Sequence, residues 1–494
     1  MIFFGTEDSA SGGGMTQKIL LINPLYSDAA NASISKSAWK AMPMGMLYLA
    51  AALEQAGHTV KFMDMEALRL TEADVRKALS EFAPTVVGLT AATPMIRQAV
   101  RLCRLAKELV PGAKTVIGGV HATILPEEVA GEACVDVVVR GEGERTAVEL
   151  MEALFSGDAA LERVQGITFK KDGRIVATPE RAPIADLDTL PFPAWHLVRL
   201  GDYQHPLGRT QNAASVLTSR GCPFRCTFCS RGVFGRNYRV RSAESVLAEL
   251  EALRSRYGVE EVYFVDDAFT IKRPRVESIC GSIIAKGWKL HWATPNGVNV
   301  NTLDRDLLRL MKESGCYSLS FGIESGNPET LDRIHKGQTL DRVRAVFRDC
   351  RELDIETVAF IIIGFPNEDR AMNDNTLRFL KEIRPDVADI HTLIPLPGTA
   401  IFEELDRAGF ILERDWGKYV FHGRPVFRTA HFSPEEIHRE YKRVYLRYHL
   451  RPAYVLQRLR RIRSWEEVLN NLKGLWTLLS MGLRRPPAPP RPPG

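Results

Sequence analysis

Short apolar runs alternate with segments of helical hydrophobic spacing along most of this 494-residue chain. In the N-terminal third, five such runs predict β-strands, at Lys18–Ile22, Thr59–Met63, Thr85–Thr90, Lys114–Ile117 and Asp136–Arg140. Strands that alternate with helices form parallel sheets with helices on both faces. We therefore predict an N-terminal doubly wound, Rossmann-like α/β domain over residues 17–158.

The loops that follow these strands are rich in glycine: Gly45, Gly118, Gly119, Gly141 and Gly143. Ligands of such sheets bind beyond the carboxyl ends of the strands. Glycine lets a backbone approach a ligand closely because it has no side chain. At this edge of the sheet the backbone can therefore come close to a large, flat ligand.

The same alternation resumes near Ala213. Six further predicted strands cover Ser215–Ser219, Glu261–Val265, His291–Asn296, Ser318–Gly322, Thr357–Ile363 and Asp389–Leu393. Six strand–helix repeats predict an open, partial (β/α)6 barrel over residues 213–412 rather than a closed eight-stranded barrel. Polar groups at the carboxyl ends of barrel strands usually carry the chemistry. Here those ends hold Asp266, Asp267, Glu324, Ser325 and Gly364.

Composition assigns the remaining segments. Residues 1–16 are predicted to be a disordered leader, and residues 159–212 a hairpin at Asp172–Gly173 followed by a Pro-rich linker. Residues 413–485 are predicted to be a helical region, and residues 486–494 a disordered Pro-rich tail. The sequence shows neither a secretory signal nor an apolar run of about 20 residues. Eight cysteines in so long a chain favour the reducing cytoplasm.

Three cysteines, Cys222, Cys226 and Cys229, fall within eight residues at a C-x3-C-x2-C spacing, with Phe228 before the last. Iron–sulfur clusters are held by closely grouped cysteine thiolates. A fourth cysteine does not follow nearby, so one iron of a cubane would stay open to another ligand. The alternative is a structural zinc site or chance, but structural zinc sites close with four protein ligands.

This loop resembles the cluster-binding loop of the radical S-adenosylmethionine (radical SAM) enzymes. In that family the open iron binds SAM, and an electron from the [4Fe-4S] cluster splits SAM into methionine and a 5′-deoxyadenosyl radical. The resemblance implies that Asp266 and Asp267 meet the SAM amino group, that Glu324 and Ser325 hold the ribose, and that Gly364 lies at the adenine. At this position the family more often has Gly-Gly-Glu, whereas this sequence has the two acids Asp266 and Asp267.

Residues 17–155 resemble the cobalamin-binding domain of the B12-dependent radical SAM branch. The match rests on Pro43-x-Gly45, Gly118-Gly119-Val120-His121 and Gly141-Glu142-Gly143-Glu144. It implies cobalamin contacts at Pro43, Gly45, Thr90, Gly118, Gly119, His121, Glu142, Gly143 and Glu144. The D-x-H-x-x-G signature of a lower axial histidine is absent, since neither His58 nor His121 follows an aspartate at that spacing. His121 as an ordinary loop histidine, and a cofactor-free flavodoxin-like domain, are the alternatives.

Together the two resemblances imply a cobalamin-dependent radical SAM enzyme that methylates an unactivated carbon. A cyclase, oxidase or ring-rearranging enzyme with the same cofactors is one alternative, and a non-catalytic cobalamin- or metal-binding module is another. The expected partners are a small-molecule or lipid substrate and an external electron donor of flavodoxin or ferredoxin type. No nucleic acid is expected, and the first domain lacks the three cysteines of methylthiotransferases.

Basic residues concentrate at the C-terminal end. Residues 441–494 hold 12 Lys and Arg against two Glu, with aromatic and aliphatic residues between them. Such a basic amphipathic stretch either lies on an anionic membrane surface or packs on its own protein. Peripheral membrane contact is therefore one expectation, and packing on the barrel is the other.

Overall fold

The computed structural model describes residues 16–26, 40–203, 205–421 and 423–461. The predicted Pro-rich tail and nearly all of the predicted leader lie outside these ranges. The chain forms two compact units, of which the first comprises most of the residues up to Arg199 and the second most of those from Leu200 onward.

The first unit is built on a seven-stranded sheet. Its strands are β1 (Lys18–Asn23), β2 (Thr59–Asp64), β3 (Val86–Thr90), β4 (Lys114–Gly118), β5 (Val137–Val139), β6 (Ile167–Lys171) and β7 (Arg174–Ala177). The helices are α1 (Met44–Gln55), α2 (Met65–Leu68), α3 (Glu72–Phe82), α4 (Ile96–Leu109), α5 (Val120–Ile124), α6 (Pro126–Gly131), α7 (Gly143–Ala153) and α8 (Asp158–Leu161).

The strand order β2-β1-β3-β4-β5-β6-β7, with β1 to β5 parallel, confirms the doubly wound α/β fold. All five predicted strands occur. Helix α3 was not predicted, although Val75, Ala78 and Leu79 recur at helical spacing and are buried. Residues Leu20, Leu47 and Ile117 are fully buried in this core.

The hairpin of β6 and β7 turns at Asp172 and Gly173, as predicted. Both residues have positive φ, 49° and 74°, which a two-residue type I′ turn requires. From its sequence this hairpin is expected ahead of a linker, outside the first domain. In the structure β6 pairs antiparallel with β5, so the hairpin extends the first sheet.

The second unit contains a six-stranded parallel sheet in the order β15-β14-β13-β12-β11-β8, which confirms the partial (β/α)6 barrel. Its strands are β8 (Ala213–Val216), β11 (Glu261–Phe264), β12 (His291–Val298), β13 (Cys316–Glu324), β14 (Glu356–Ile363) and β15 (Val387–Thr392). A two-residue ladder of β9 (Ser219–Arg220) and β10 (Arg239–Val240) flanks the cysteine loop.

The helices of this unit are α9 (Ala243–Tyr257), α10 (Arg273–Ala285), α11 (Arg305–Glu313), α12 (Pro328–Arg333), α13 (Leu340–Glu352), α14 (Arg370–Ile383), α15 (Ala400–Arg407), α16 (Pro434–His449) and α17 (Pro452–Arg461). Helix α16 starts after Ser433, because Ser433 and Glu436 form a capping box.

Helices α16 and α17 cover the outer edge of β15. His449 Nε2 lies 3.1 Å from the carbonyl oxygen of Ala388, and Gln457 Nε2 donates to the carbonyl oxygen of Pro385 at 3.1 Å. Tyr448 of α16 and Tyr454 of α17 are buried. The described part of the basic C-terminal region thus supports packing on the barrel, although Val455, Leu456 and Leu459 are exposed. Within the described ranges, no helix combines the length and apolarity of a transmembrane span.

Candidate functional site

The three clustered cysteines lie in the loop between β9 and β10. Gly221, with φ of 83°, turns the chain out of β9, and the Cys222 N–H donates to the Gly235 carbonyl at 3.3 Å. The Cys229 N–H donates to the Cys226 carbonyl at 3.4 Å. Cys222 and Cys226 are half-buried and Cys229 is exposed. The loop therefore presents three thiols from one compact turn.

The second unit anchors this loop from two sides. The Thr227 N–H donates to the Ile334 carbonyl at 3.1 Å, and the Thr227 carbonyl accepts from the Ile401 N–H at 3.1 Å. Phe228 packs edge-on against Phe365, with ring centroids 5.8 Å apart. These contacts tie the cysteines to the segments that follow α12 and β14 and to the start of α15.

The electrostatics favour a thiolate at Cys226. The hydrogen bond with Cys229 lowers the pKa of Cys226, and the ammonium of Lys336 contributes to that shift. Burial raises the pKa of Cys222. Thiolates are the form that binds metal. The other five cysteines are buried elsewhere, so the loop itself offers three sulfur ligands.

The donor set of this loop fits a cluster better than a single ion. Among the described residues, no three His, Cys, Asp or Glu side chains are gathered closely enough to surround one metal ion. In a cubane each thiolate binds a different iron, so the sulfurs need not converge on one point. Cys222, Cys226 and Cys229 are therefore the residues that would hold a [4Fe-4S] cluster.

The two acids after β11 differ sharply in environment. The Asp266 carboxylate is fully buried and accepts hydrogen bonds from the Thr218 N–H at 2.5 Å, the Thr218 hydroxyl at 2.5 Å and the Ser219 hydroxyl at 2.9 Å. Asp267 is exposed and lies beside the backbone N–H of Gly221. Asp266 thus fixes the chain that leads into the cysteine loop, and Asp267 is the acid that a ligand could reach.

The end of β13 carries an ion pair. The Glu324 carboxylate binds the Lys336 ammonium at 2.6 Å, and both side chains are largely buried. Glu324 has φ of 65°, an uncommon left-handed conformation for a residue with a side chain. Such outliers cluster at functional sites.

Ser325, the next residue, is fully buried. Its hydroxyl donates to Glu368 Oε1 at 2.6 Å and accepts from the Asn327 amide at 3.0 Å. Burial raises the pKa of Glu368 to about 7. Hydrogen bonds from Ser325 and its neighbours lower this pKa, but burial has the larger effect. The Ser325 hydroxyl is therefore engaged within the protein.

Gly364 follows β14 with φ of 100°, and a Cβ atom there would lie 3.0 Å from Ile437 Cγ2 and 3.7 Å from the Phe427 ring. Phe427 and Ile437 belong to an apolar cluster that also contains Phe365 and is contacted by Phe228. The segment before α16 thus packs through Phe427 against the loop after β14.

At the carboxyl edge of the first sheet, Thr90 of β3 lies opposite Gly118 of β4. A Cβ atom on Gly119 would lie 2.7 Å from Thr90 Oγ1, and Gly119 has φ of 95°. Gly45 and Gly141 have no atom within 4 Å of an added Cβ, so their backbone borders open space. The ends of β3 and β4 therefore meet closely, whereas the backbone is open at Gly45, in the first turn of α1, and at Gly141, after β5.

His121 is fully buried, with Nδ1 3.3 Å from Thr93 Oγ1. Burial lowers its pKa to about 4, so the imidazole is neutral. Glu142 is buried and accepts from the Ile184 N–H at 3.2 Å, and Glu144 is also buried. Pro43 is the N-cap of α1, and Gly143 starts α7.

Known proteins share both units. The Radical SAM superfamily matches residues 216–380, and the B12 binding domain family matches residues 32–151. An uncharacterized methyltransferase from Pyrococcus horikoshii is 34% identical over 445 residues, which cover 89% of this chain and 94% of the relative. This chain belongs to the cobalamin-dependent radical SAM family.

Other members of this cobalamin-dependent radical SAM family carry different activities. The anaerobic magnesium-protoporphyrin IX monomethyl ester cyclase of Cereibacter sphaeroides is 33% identical, covering 87% of this chain and 70% of the cyclase. The cytidylyl-2-hydroxyethylphosphonate methyltransferase of Streptomyces wedmorensis is 31% identical, covering 80% and 83%.

Two solved structures share the fold of this cobalamin-dependent radical SAM enzyme. OxsB, with aqua-cobalamin and SAM bound, has a TM-score of 0.72 at 16% identity and covers 94% of this chain and 71% of its own. TsrM from Kitasatospora setae, with cobalamin and a [4Fe-4S] cluster bound, has a TM-score of 0.65 at 19% identity and covers 86% and 82%. The cofactors of the present enzyme are those of its family: a [4Fe-4S] cluster, SAM and cobalamin.

Sequence reasoning missed two residues of this radical SAM site, Lys336 and Glu368. Lys336 lies between α12 and α13 rather than at a strand end, so the strand-end rule did not include it. Glu368 lies four residues beyond Gly364, in the loop after β14, so the strand-end rule could have included it.

Proposed function

We propose that this enzyme transfers a methyl group to an unactivated carbon of a small-molecule or lipid substrate. The Pyrococcus methyltransferase and the Streptomyces methyltransferase, which align with the chain over most of their length, support methyl transfer. An unactivated C–H bond has too little acidity for a side chain to deprotonate at neutral pH. The three-thiol loop at the barrel strand ends carries the proposal. It can hold the cluster with which radical SAM enzymes cleave SAM, and that cleavage supplies a radical that can take a hydrogen atom from the substrate.

When bound, the cluster and cobalamin supply the one-electron chemistry and the methyl carrier that side chains lack. Cys222, Cys226 and Cys229 would hold the cluster. Asp267, exposed beside the Gly221 N–H, would accept the ammonium group of SAM through a charge-assisted hydrogen bond. Asp266 holds the backbone of Thr218 and Ser219, so it keeps the loop in place.

The ends of β13 and β14 would hold the nucleoside part of SAM. Glu324 is proposed for the ribose hydroxyls and Gly364 for the adenine. Ser325 is proposed to act from behind Glu324, because Glu368 and Asn327 already bind its hydroxyl. The positive φ of Glu324 and Gly364 turns the backbone away from strand geometry at both positions.

Cobalamin is proposed to bind at the carboxyl edge of the first sheet. Its contacts would come from Pro43, Gly45, Thr90, Gly118, Gly119, Glu142, Gly143 and Glu144. His121 is proposed to support this edge from inside the core, because its ring is fully buried. A histidine ligand of the D-x-H-x-x-G type is not part of this proposal.

A cyclase activity is the second candidate, because the Cereibacter cyclase is nearly as similar to the chain as the Pyrococcus methyltransferase. Both candidate activities would begin with SAM cleavage at the cluster that the same three thiols would hold. They differ in whether the product gains a methyl group, and the barrel residues described above are common to both.

The test is anaerobic purification, reconstitution with iron, sulfide and hydroxocobalamin, and incubation with SAM labelled in its methyl group and a low-potential reductant. We expect cluster and corrinoid absorbance, 5′-deoxyadenosine, and movement of the label from SAM to the bound cobalamin. The Cys226→Ala variant should lose the cluster and the 5′-deoxyadenosine. Label recovered in methionine, with none on cobalamin, while 5′-deoxyadenosine forms would favour the cyclase, and absence of both 5′-deoxyadenosine and methylated cobalamin would contradict the proposal.

Several broader assignments belong to the same proposal. The electron donor would be a flavodoxin or ferredoxin, and the eight unpaired cysteines suit a reducing compartment such as the cytoplasm. The domains would run over 17–158, 159–212, 213–412 and 413–485, except that the hairpin of β6 and β7 within 159–212 belongs to the first sheet. We propose that the C-terminal helices cover the edge of the barrel rather than bind a membrane.

A further inference from the structure

The segment that follows α12 runs directly along the cysteine loop. The Ile334 carbonyl accepts from the Thr227 N–H at 3.1 Å, and Cys226 Sγ lies 3.9 Å from the His335 carbonyl oxygen. The next residue, Lys336, places its Nζ atom 5.9 Å from the centroid of the Phe228 ring. Phe228 immediately precedes Cys229, so the ammonium lies beside the stretch between Cys226 and Cys229.

The position of this ammonium is tightly specified. Its Nζ atom binds Glu324 Oε1 at 2.6 Å, and the two side chains are only 14% and 7% exposed. A side chain at Gly322 would collide with both charged groups, so the glycine leaves room for the pair. Gln338 fixes the far end of the segment by donating to the Gly322 carbonyl at 3.1 Å.

The ion pair keeps the lysine charged, because the Glu324 carboxylate lies 2.6 Å from the ammonium and both groups are largely removed from water. Of this pair, the ammonium is the charge that lies over the Phe228 ring, next to Cys229 in the chain, and Glu324 holds it from the end of β13.

We propose that Lys336 is a positioning residue whose fixed positive charge raises the reduction potential of the cluster held by Cys222, Cys226 and Cys229. The inference rests on the proposed cluster site. One-electron reduction adds a negative charge to a cluster that thiolates already make negative, and a nearby cation stabilises the reduced form. Net charge around a cluster is one of the main determinants of its potential. Glu324 anchors the lysine and, by itself, acts in the opposite direction.

Four variants test the sign of each charge. Lys336→Gln removes the cation and should lower the potential, whereas Lys336→Arg keeps the charge and should stay near the parent protein. Glu324→Gln removes the anion and should raise the potential. The double variant of Lys336→Gln with Glu324→Gln should return toward the parent value. We expect shifts of about tenfold in the equilibrium constant for reduction, or about 59 mV for one electron.

The measurement is an anaerobic redox titration of the reconstituted full chain without SAM, followed by the electron paramagnetic resonance signal of the reduced cluster. Iron content is determined for each sample. Equal potentials in all variants, or shifts of the same sign in Lys336→Gln and Glu324→Gln, would overturn the inference. If Lys336→Gln fails to retain iron, retention in Lys336→Arg supports a role of the charge, and loss in both contradicts it.

This outcome is separable from failure of the proposed function. A parent protein that binds no iron, or that binds iron and does not cleave SAM, contradicts the proposed function. A parent protein that cleaves SAM but whose potential does not respond to either charge contradicts only the role of Lys336.

Discussion

Asp266 and Asp267 are adjacent acids with different predicted roles, and replacing each in turn separates structure from ligand binding. Asp266→Ala removes a buried carboxylate that accepts three hydrogen bonds, from the Thr218 N–H, the Thr218 hydroxyl and the Ser219 hydroxyl. Arg275 also lies 3.8 Å from this carboxylate and would lose its partner there. Asp267→Asn changes the next residue in the chain, whose side chain is exposed.

The expected cost of Asp266→Ala is about 3–5 kcal/mol of unfolding free energy, the usual effect of removing one partner from a buried charged network. Asp267→Asn should change stability by no more than about 0.5 kcal/mol, as exposed substitutions normally do. Its effect should instead fall on SAM, as a raised KM for SAM in the 5′-deoxyadenosine assay and slower SAM cleavage.

The assay is urea denaturation of the cofactor-free protein under reducing conditions, followed by tryptophan fluorescence, with SAM cleavage measured on the reconstituted variants. If Asp266→Ala proves too unstable to purify, Asp266→Asn keeps the shape of the side chain and should show a smaller loss of the same sign. Equal stability of the Asp266 and Asp267 variants would refute the hydrogen-bond argument. Unchanged SAM kinetics in Asp267→Asn would refute the ammonium contact.

Three further predictions concern the loop, the first sheet and pH. Cys226→Ala should lose cluster absorbance and SAM cleavage, whereas Cys350→Ala, at a buried cysteine away from the loop, should keep both. Gly119→Ala should cost about 1–3 kcal/mol because of its positive φ and its contact with Thr90, and it should weaken cobalamin retention in gel filtration, while Gly112→Ala should do neither. His121 has a pKa of about 4 in the folded protein and about 6.5 in the unfolded chain. The unfolded chain therefore binds the extra proton, and stability should fall as pH decreases from about 6.5 to 4. This decrease should be shallower in His121→Gln.

Much of the fold could be predicted because the strands are short, apolar and separated by helices. All the strands predicted for the two parallel sheets occur, with ends shifted by at most three residues. Helix α3 was missed because its buried residues, Val75, Ala78 and Leu79, are few among charged neighbours. The pattern identified elements where burial is periodic, and it was weaker where a helix is mostly exposed.

The site was predictable to the level of strand ends, but not to the direction of each side chain. Asp266 and Asp267 follow the same strand, and successive side chains in extended backbone point to opposite sides. The sequence alone does not say which of the two is buried. Lys336 binds Glu324, which lies 12 residues earlier in the chain. The lysine stands in a loop, and because loops have no periodic sequence pattern, this contact could not be predicted.

The covering of β15 has a consequence for how the barrel ends. An edge strand normally offers unpaired backbone groups to which another strand can add. Here His449 engages the carbonyl of Ala388 in β15, and Gln457 engages the carbonyl of Pro385 just before the strand, so side chains of helices stand where a seventh strand could pair. A shortened chain that stops before α16 would expose these carbonyls and should self-associate along β15, so any expression boundary for the isolated barrel has to include both helices.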